Sequence, residues 1–478
     1  MAMQYLAAHR FGLGNRQEYP PIADPRGWLA RQIGDYDPTP ATIRALPGRG
    51  AIAAAYAAYR EDRQAARRSA AQSGTGDAQP DDDMPRDEQR PSRSEIRGHY
   101  TDAVRARLDS AVATPTPFAE RLVHFWANHF AVSADKLAVI GFAGNYEFEA
   151  IRPHIMGKFS DLLIAAIRHP AMLLYLDQAQ SFGPDSPVAA RARDRRGRPG
   201  PGLNENLARE ILELHTLGVR SVYSQADVTA FAKALTGLTV AGLGRGAGRR
   251  LMPAAARDGD TVFIDRLHQP GPQTIIARRY DQPGEQQAEA VLRDLAVHPA
   301  TARHIATKLA RHFAGDTPPA PLVEQLTTSF LDSGGDLSAV YRTLIAAPEA
   351  WTAEPALFKS PWDWTVSMLR ALAMPALGQR QNVAAMFTQL GQPVWRPGSP
   401  AGYDDRVATW AGSAALMQRV ELASRIAGRI GDRADARSLA PMVLTDALTP
   451  ATAQAIARAD SPGQGLAMLF ASPAFLRR

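Results

Sequence analysis

The sequence contains no cysteine. Disulfides, thiol nucleophiles, zinc fingers and cysteine-held iron–sulfur clusters are therefore excluded, and the redox state of the compartment leaves no mark on the chain. Aromatic residues are scarce, at 7%, and a net charge of +6 is spread over 478 residues. Nucleic-acid surfaces need clustered basic residues interleaved with stacking rings, so no nucleic-acid partner is expected. Long apolar runs are missing as well. Leu162 to Ile167 falls well short of the roughly 18 residues of a membrane span. Met1 to Gly14 lacks the charged start and apolar core of a signal peptide. As written the chain reads as cytoplasmic, with a periplasmic location the alternative if a leader is missing. Gly-x-Ser-x-Gly, P-loop, kinase and His-Glu-x-x-His signatures are all absent. Ser133-Ala-Asp-Lys136 matches a serine–lysine pattern, but without its companion motifs.

What remains is an alanine-rich chain, 45% hydrophobic, with helical periodicity along most of its length. The expected fold is mainly α: one large multi-helix domain over 1–478 with a small β-hairpin insertion at 259–281. The hairpin is expected from Thr261–Asp265 and Thr274–Tyr280 around the turn His268-Gln-Pro-Gly271. Two segments read as flexible by composition. Residues 69–94 hold Asp81-Asp82-Asp83, glycines and prolines but almost no apolar side chain, and residues 181–202 are rich in Arg, Pro and Gly.

The most regular polar spacing lies in Leu203 to Gly218, read as one helix with Asn204 as N-cap and Gly218 as its stop. Leu207, Ile211, Leu214 and Leu217 form its apolar stripe. Glu205, Arg209 and Glu213 recur at four-residue spacing, which suits a solvated ion-pair row as well as a site. Two further polar helices stand upstream. In Phe118–Phe130, Arg121, His124 and Asn128 share one face, with His129 on the next. In the other, Pro153 breaks the helix after Arg152 and presents His154 at a bend.

These three helices are expected to converge on one buried pocket. Its acid–base and binding residues would be His124, Asn128, His129, Arg152, His154, Asn204, Glu205, Arg209 and Glu210, with Arg152 and Arg209 holding carboxylates or an anionic substrate. Imidazole and carboxylate together suit a divalent metal, and Glu210, Glu213, His215 and His124 are its expected ligands. A metal-free acid–base site is the rival, with His124 moving protons to Glu210 or Asp177. His304, Lys308 and His312 share a face of a later helix, where the two histidines read as structural and partly exposed.

Several stretches together resemble the bacterial domain-of-unknown-function family numbered 1800. They include Ala8-His-Arg-Phe-Gly12, His124-Phe-Trp-Ala-Asn-His-Phe130, Ile151-Arg-Pro-His-Ile-Met-Gly157, Pro170 to Asp177, and Asn204-Glu-Asn-Leu-Ala-Arg-Glu210 through Gly218. The likeness continues through Ala234-Leu-Thr-Gly237, His298-Pro-Ala-Thr301, Trp395, Pro397, Gly402 and Trp410. Leu238 stands where the family usually has tryptophan, and Gln269 where it commonly has aspartate. The resemblance implies a mainly helical fold and no established reaction. It also implies a partner: members are often encoded beside family 1501, which looks like alkaline phosphatases and sulfatases, in systems that look exported. Two functions therefore stand open. One is an enzyme with a buried His/Glu/Arg/Asn site and hydrolytic or redox chemistry. The other is a non-catalytic helical scaffold or accessory protein working with a phosphatase- or sulfatase-like partner.

Overall fold

Local signals start most of the helices. Asp24 accepts a bond from the Gly27 amide at 3.0 Å and Pro25 takes the first turn of the Pro25–Asp35 helix. Ser224 and Asp227 form a complete capping box at Gln225–Leu235. Asp336 caps Leu337–Ala346, and Ser360 caps Pro361–Ala371. Two helices open on His-Pro: His169 and His298 accept from the amides two residues on, at 3.2 and 3.1 Å. Thr116-Pro117 has the sequence of a capped helix start, but the cap is not made. The Phe118 amide instead donates to Gln32 Oε1 at 2.8 Å, a partner 86 residues away.

The computed structural model describes residues 3–16, 18, 21–72, 91–196, 202–243, 251–352, 357–374 and 381–478. Most of them are helical, with two small antiparallel two-stranded sheets. One continuous apolar cluster runs from Tyr5 to Leu476, so the two ends of the described chain share a core. A satellite of Phe182, Ile264 and Leu267 lies beside it.

The β segments pair differently from the expected hairpin. Strand β1 (Leu238–Val240) pairs with β2 (Thr261–Phe263), Leu238 opposite Phe263. Strand β3 (Gln273–Ile275) pairs with β4 (Arg278–Tyr280) through Ile276 and Ala277, both at positive φ. The His268-Gln-Pro-Gly segment does not close a hairpin because it is docked elsewhere. His268 Nδ1 donates to Thr236 O at 2.8 Å, and Thr236 Oγ1 accepts the Gln269 amide at 2.8 Å.

The two compositionally flexible segments are partly ordered. Helices Arg49–Gln72 and Pro91–Ala113 pack on each other and claim both ends of 69–94, while 73–90 lie outside the described residues. Within 181–202, Pro187–Arg196 is helical and 197–201 lie outside the described residues. The Arg-rich composition masked that helix, since arginine is a good helix former.

Among the described residues, three widened, π-helical turns interrupt the helical run at Leu6–Phe11, Tyr146–Ile151 and Ile211–His215. Each carries a fully buried ionisable side chain: His9 and Arg10, Glu147, and His215. The extra residue in such a turn re-aims its side chains.

Candidate functional site

A cavity of ≈ 90 Å³ opens beside the Pro117–His129 helix. The Arg121, His124 and Asn128 face of that helix forms one wall, as its spacing predicted. The opposite walls come from residues the sequence did not assign to the site: Arg107, His312, Trp362 and Asp363, the 391–410 loop, and Arg478.

Arg107 is nine-tenths buried. Its Nε donates to both oxygens of Glu147, at 3.0 and 2.8 Å, and Trp395 Nε1 donates to the same carboxylate at 2.9 Å. Its guanidinium lies 4.3 Å from the Trp362 ring centre and 5.4 Å from that of Trp395. Two rings and a carboxylate thus hold the cation rigidly. Among the described residues neither Nη of Arg107 bonds to protein, which leaves those donors for the cavity.

Below it lies a second ionic knot. Arg121 Nη1 donates to Asp363 Oδ2 at 2.9 Å, and Arg478 Nε stands 3.2 Å from the same oxygen. Burial would raise the Asp363 carboxyl, but Arg121 and Arg478 outweigh it and hold the group well below the usual range. Arg478 also donates to the His312 carbonyl at 2.7 Å. His312 Nδ1 donates to Asp405 Oδ2 at 3.0 Å, so its Nε2 is a lone pair, buried and without a partner among the described residues. Burial lowers the His312 pKa against the pull of Asp405. A base oriented by a carboxylate is the arrangement used in proton abstraction.

Asn128 lines the cavity but spends its polar atoms on the protein, whereas His124 lines it with a buried Nε2 that has no hydrogen-bond partner among the described residues. Trp362 Nε1 donates to His124 Nδ1 at 3.3 Å, so the proton sits on Nε2, 3.6 Å from Glu120 Oε1. Burial and Arg107 lower its pKa further than Glu120 raises it. Asn128 clamps the loop: it donates to Tyr403 O at 2.8 Å and accepts the Tyr403 amide at 2.7 Å.

The other expected site residues do not line this cavity. Arg152 does hold a carboxylate, but it is Glu120, met at 2.8 Å by each Nη. Both side chains are buried, and the pair leaves no room for a substrate. His154 is half-buried at the end of the Arg152–His154 turn. His129 faces the far side of its helix, with Nε2 donating to His215 O at 3.1 Å. Asn204 Nδ2 donates to the carbonyls of Leu176 and Asp177, and its Oδ1 accepts the Asn206 amide, which pins the helix start. Glu205, Arg209 and Glu213 form a partly exposed ladder, with contacts of 3.2 and 3.6 Å. Glu210 is half-buried, its pKa raised by burial and by Glu213.

The expected metal ligands Glu210, Glu213, His215 and His124 are not brought together. Among the described residues no group of three or more histidines and carboxylates is placed to hold a metal ion. His215 is buried against Phe130 and His129, while His124 is committed to Trp362 across the helix. His215 ends the widened turn Ile211–His215 and is fully buried there.

Residues 6–477 match the model of the family described as "Protein of unknown function (DUF1800)". The chain belongs to this family. No match was found among curated proteins or among solved structures. For this DUF1800 protein the resemblance seen in the sequence thus extends over nearly the whole chain, and its cavity motif His124 to Phe130 lies within the matched span. None of its described helices is long and apolar enough to cross a membrane.

Proposed function

We propose that this protein is an enzyme that binds a small organic anion in the cavity and uses His312, oriented by Asp405, as its base. The observation that supports this is the Arg107 guanidinium. It is buried, held on one edge by Glu147 and stacked on Trp362, and its free edge borders the open volume. A cation with spare donors in a low-dielectric recess gains most from an anion that accepts two bonds at once. The test is thermal unfolding of the full chain in the presence of small carboxylates, phosphate and sulfate, beside Arg107→Lys and Arg107→Met. A saturable rise in Tm in the wild type, weakened in the lysine variant and lost in the methionine variant, supports the reading. Equal shifts in all three, or none in the wild type, remove it.

A non-catalytic accessory role beside a phosphatase- or sulfatase-like partner of family 1501 is the second reading. Its support is the partly exposed Glu205–Arg209–Glu213 row, tied to Gln225 and Thr229, which presents alternating charge. Co-purification of the two proteins, broken by Arg209→Glu and not by Arg107→Met, would favour it.

A further inference from the structure

Arg107 is not the only cation with donors to spare at the cavity. Arg478 lines it too and is 3% exposed. Its Nη1 donates to the His312 carbonyl at 2.7 Å, and its Nε stands 3.2 Å from Asp363 Oδ2. Its Nη2 makes no hydrogen bond among the described residues. Two guanidiniums therefore each bring an unused edge to one volume of ≈ 90 Å³.

The same pair of helices holds these two cations apart. Arg107 lies over Trp362, and Arg478 meets the next residue, Asp363, both on the Pro361–Ala371 helix. Successive helical side chains diverge by about 100°. On the facing Pro117–His129 helix, His124 accepts from Trp362 and Arg121 pairs with Asp363. Those two holders are about one turn, roughly 5 Å, apart. The cavity thus has two cationic ends, set by positions one turn apart.

The Arg478 end carries more positive charge than its carboxylate answers. Asp363 is shared by Arg121 and Arg478. Behind this knot lies Arg419, 1% exposed. Its guanidinium sits 4.8 Å from the Phe358 ring centre and gives one bond, to Trp410 O at 3.3 Å. Among the described residues its Nε and Nη1 are buried without a partner, and it makes no ion pair. Phe358 and Trp410 are both cavity walls, so this charge stands one side chain behind the open volume. The other carboxylates of the lining are committed. Asp405 accepts from His312, and Asp404 accepts from the Arg406 amide and the Thr409 hydroxyl. A buried cation without a counterion is costly, and an arriving anion removes that cost.

We infer that the cavity takes a short α,ω-dicarboxylate, with one carboxylate on Arg107 and the other on Arg478. This rests on the anion-binding reading of the cavity and adds a second charge and a length to it. Arg107 offers two Nη groups to one carboxylate, and Arg478 offers Nη2 to the other. A monoanion engages one end and leaves the Arg478 and Arg419 charges unanswered.

The test is isothermal titration of the full chain with malonate, succinate, glutarate and adipate, each beside its own monoamide, at fixed ionic strength. The best-bound diacid should bind at least about tenfold more tightly than its monoamide. Arg478→Met should bring that diacid down to the level of the monoamide and leave the monoamide unchanged, while Arg107→Met should abolish binding of both. Arg419→Met removes a charge that the ligand-free protein does not neutralise. It should hold or raise the melting temperature of the ligand-free protein and still weaken the diacid, which a merely structural arginine would not show. Equal affinity for diacid and monoamide, lost together in Arg107→Met, overturns this inference and leaves the anion-binding reading in place. Absence of binding by every one of these ligands overturns both.

Discussion

Arg152 and Glu120 meet in a two-pronged ion pair, 2.8 Å at each prong, with each side chain 1% exposed. The pair lies 32 residues apart in sequence and ties the kinked Arg152–His154 turn to the cavity helix. Removing one partner strands the other as an uncompensated buried charge. Arg152→Met should cost about 3–5 kcal/mol in urea unfolding, more than the double variant Arg152→Met/Glu120→Leu. Equal losses would mean that the charges are not coupled. Burial would raise the Glu120 pKa, yet Arg152 and His124 hold it far below the usual carboxylate range. A depressed carboxyl contributes stability above its unfolded pKa and loses it as pH falls through the folded one, so the cost of Glu120→Gln should shrink only in strong acid.

Acid should weaken the protein earlier through its buried histidines. His215 is lowered from 6.5 to about 3 and His304 to about 4, in each case first by burial and then by the Lys308 charge. The unfolded state then binds more protons than the folded one between those values and 6.5, so stability falls as pH drops through that window. Each such group adds about 1.4 kcal/mol per pH unit within its own window. Unfolding free energy measured from pH 7 to 4 should fall less steeply in His215→Leu than in the wild type. Parallel curves would refute this.

Gly402 holds φ +81 against the Asn128 backbone, where an added Cβ would lie 2.3 Å from the Asn128 carbonyl oxygen. Gly402→Ala should cost about 1–3 kcal/mol and expose the 391–410 loop to proteolysis. Asn128→Ala should give the same nicking pattern, since it removes the two bonds to Tyr403. Resistance of both variants to trypsin and thermolysin would count against the clamp.

The surface ladder makes the opposite prediction. Arg209→Ala breaks contacts between partly exposed groups and should change stability by no more than about 1 kcal/mol. It should leave anion-induced stabilisation unchanged, whereas Arg107→Met abolishes it. Loss of that response in Arg209→Ala would move the site back to the 204–218 helix.

Local chemistry was legible in the chain wherever a few neighbouring residues decide the outcome. Asp24-Pro25, Ser224 to Asp227, Asp336 and Ser360-Pro361 mark helix starts because each cap closes within three residues. The spacing of Arg121, His124 and Asn128 likewise sufficed to put them on one face, which borders the cavity. The partners of that face were not legible. Asp363 meets Arg121 across 242 residues and Trp395 meets Glu147 across 248, and no local pattern encodes such pairs. Nor did local pattern show that strand β2 pairs with β1, or that His268 and Gln269 dock on Thr236. The widened turns at Glu147 and His215 were equally hidden. By itself, then, the sequence determined a mainly helical chain, its helix starts and one polar face. Tertiary structure alone decided which charges are buried together, because a buried ion is tolerated only where the fold supplies its counterion.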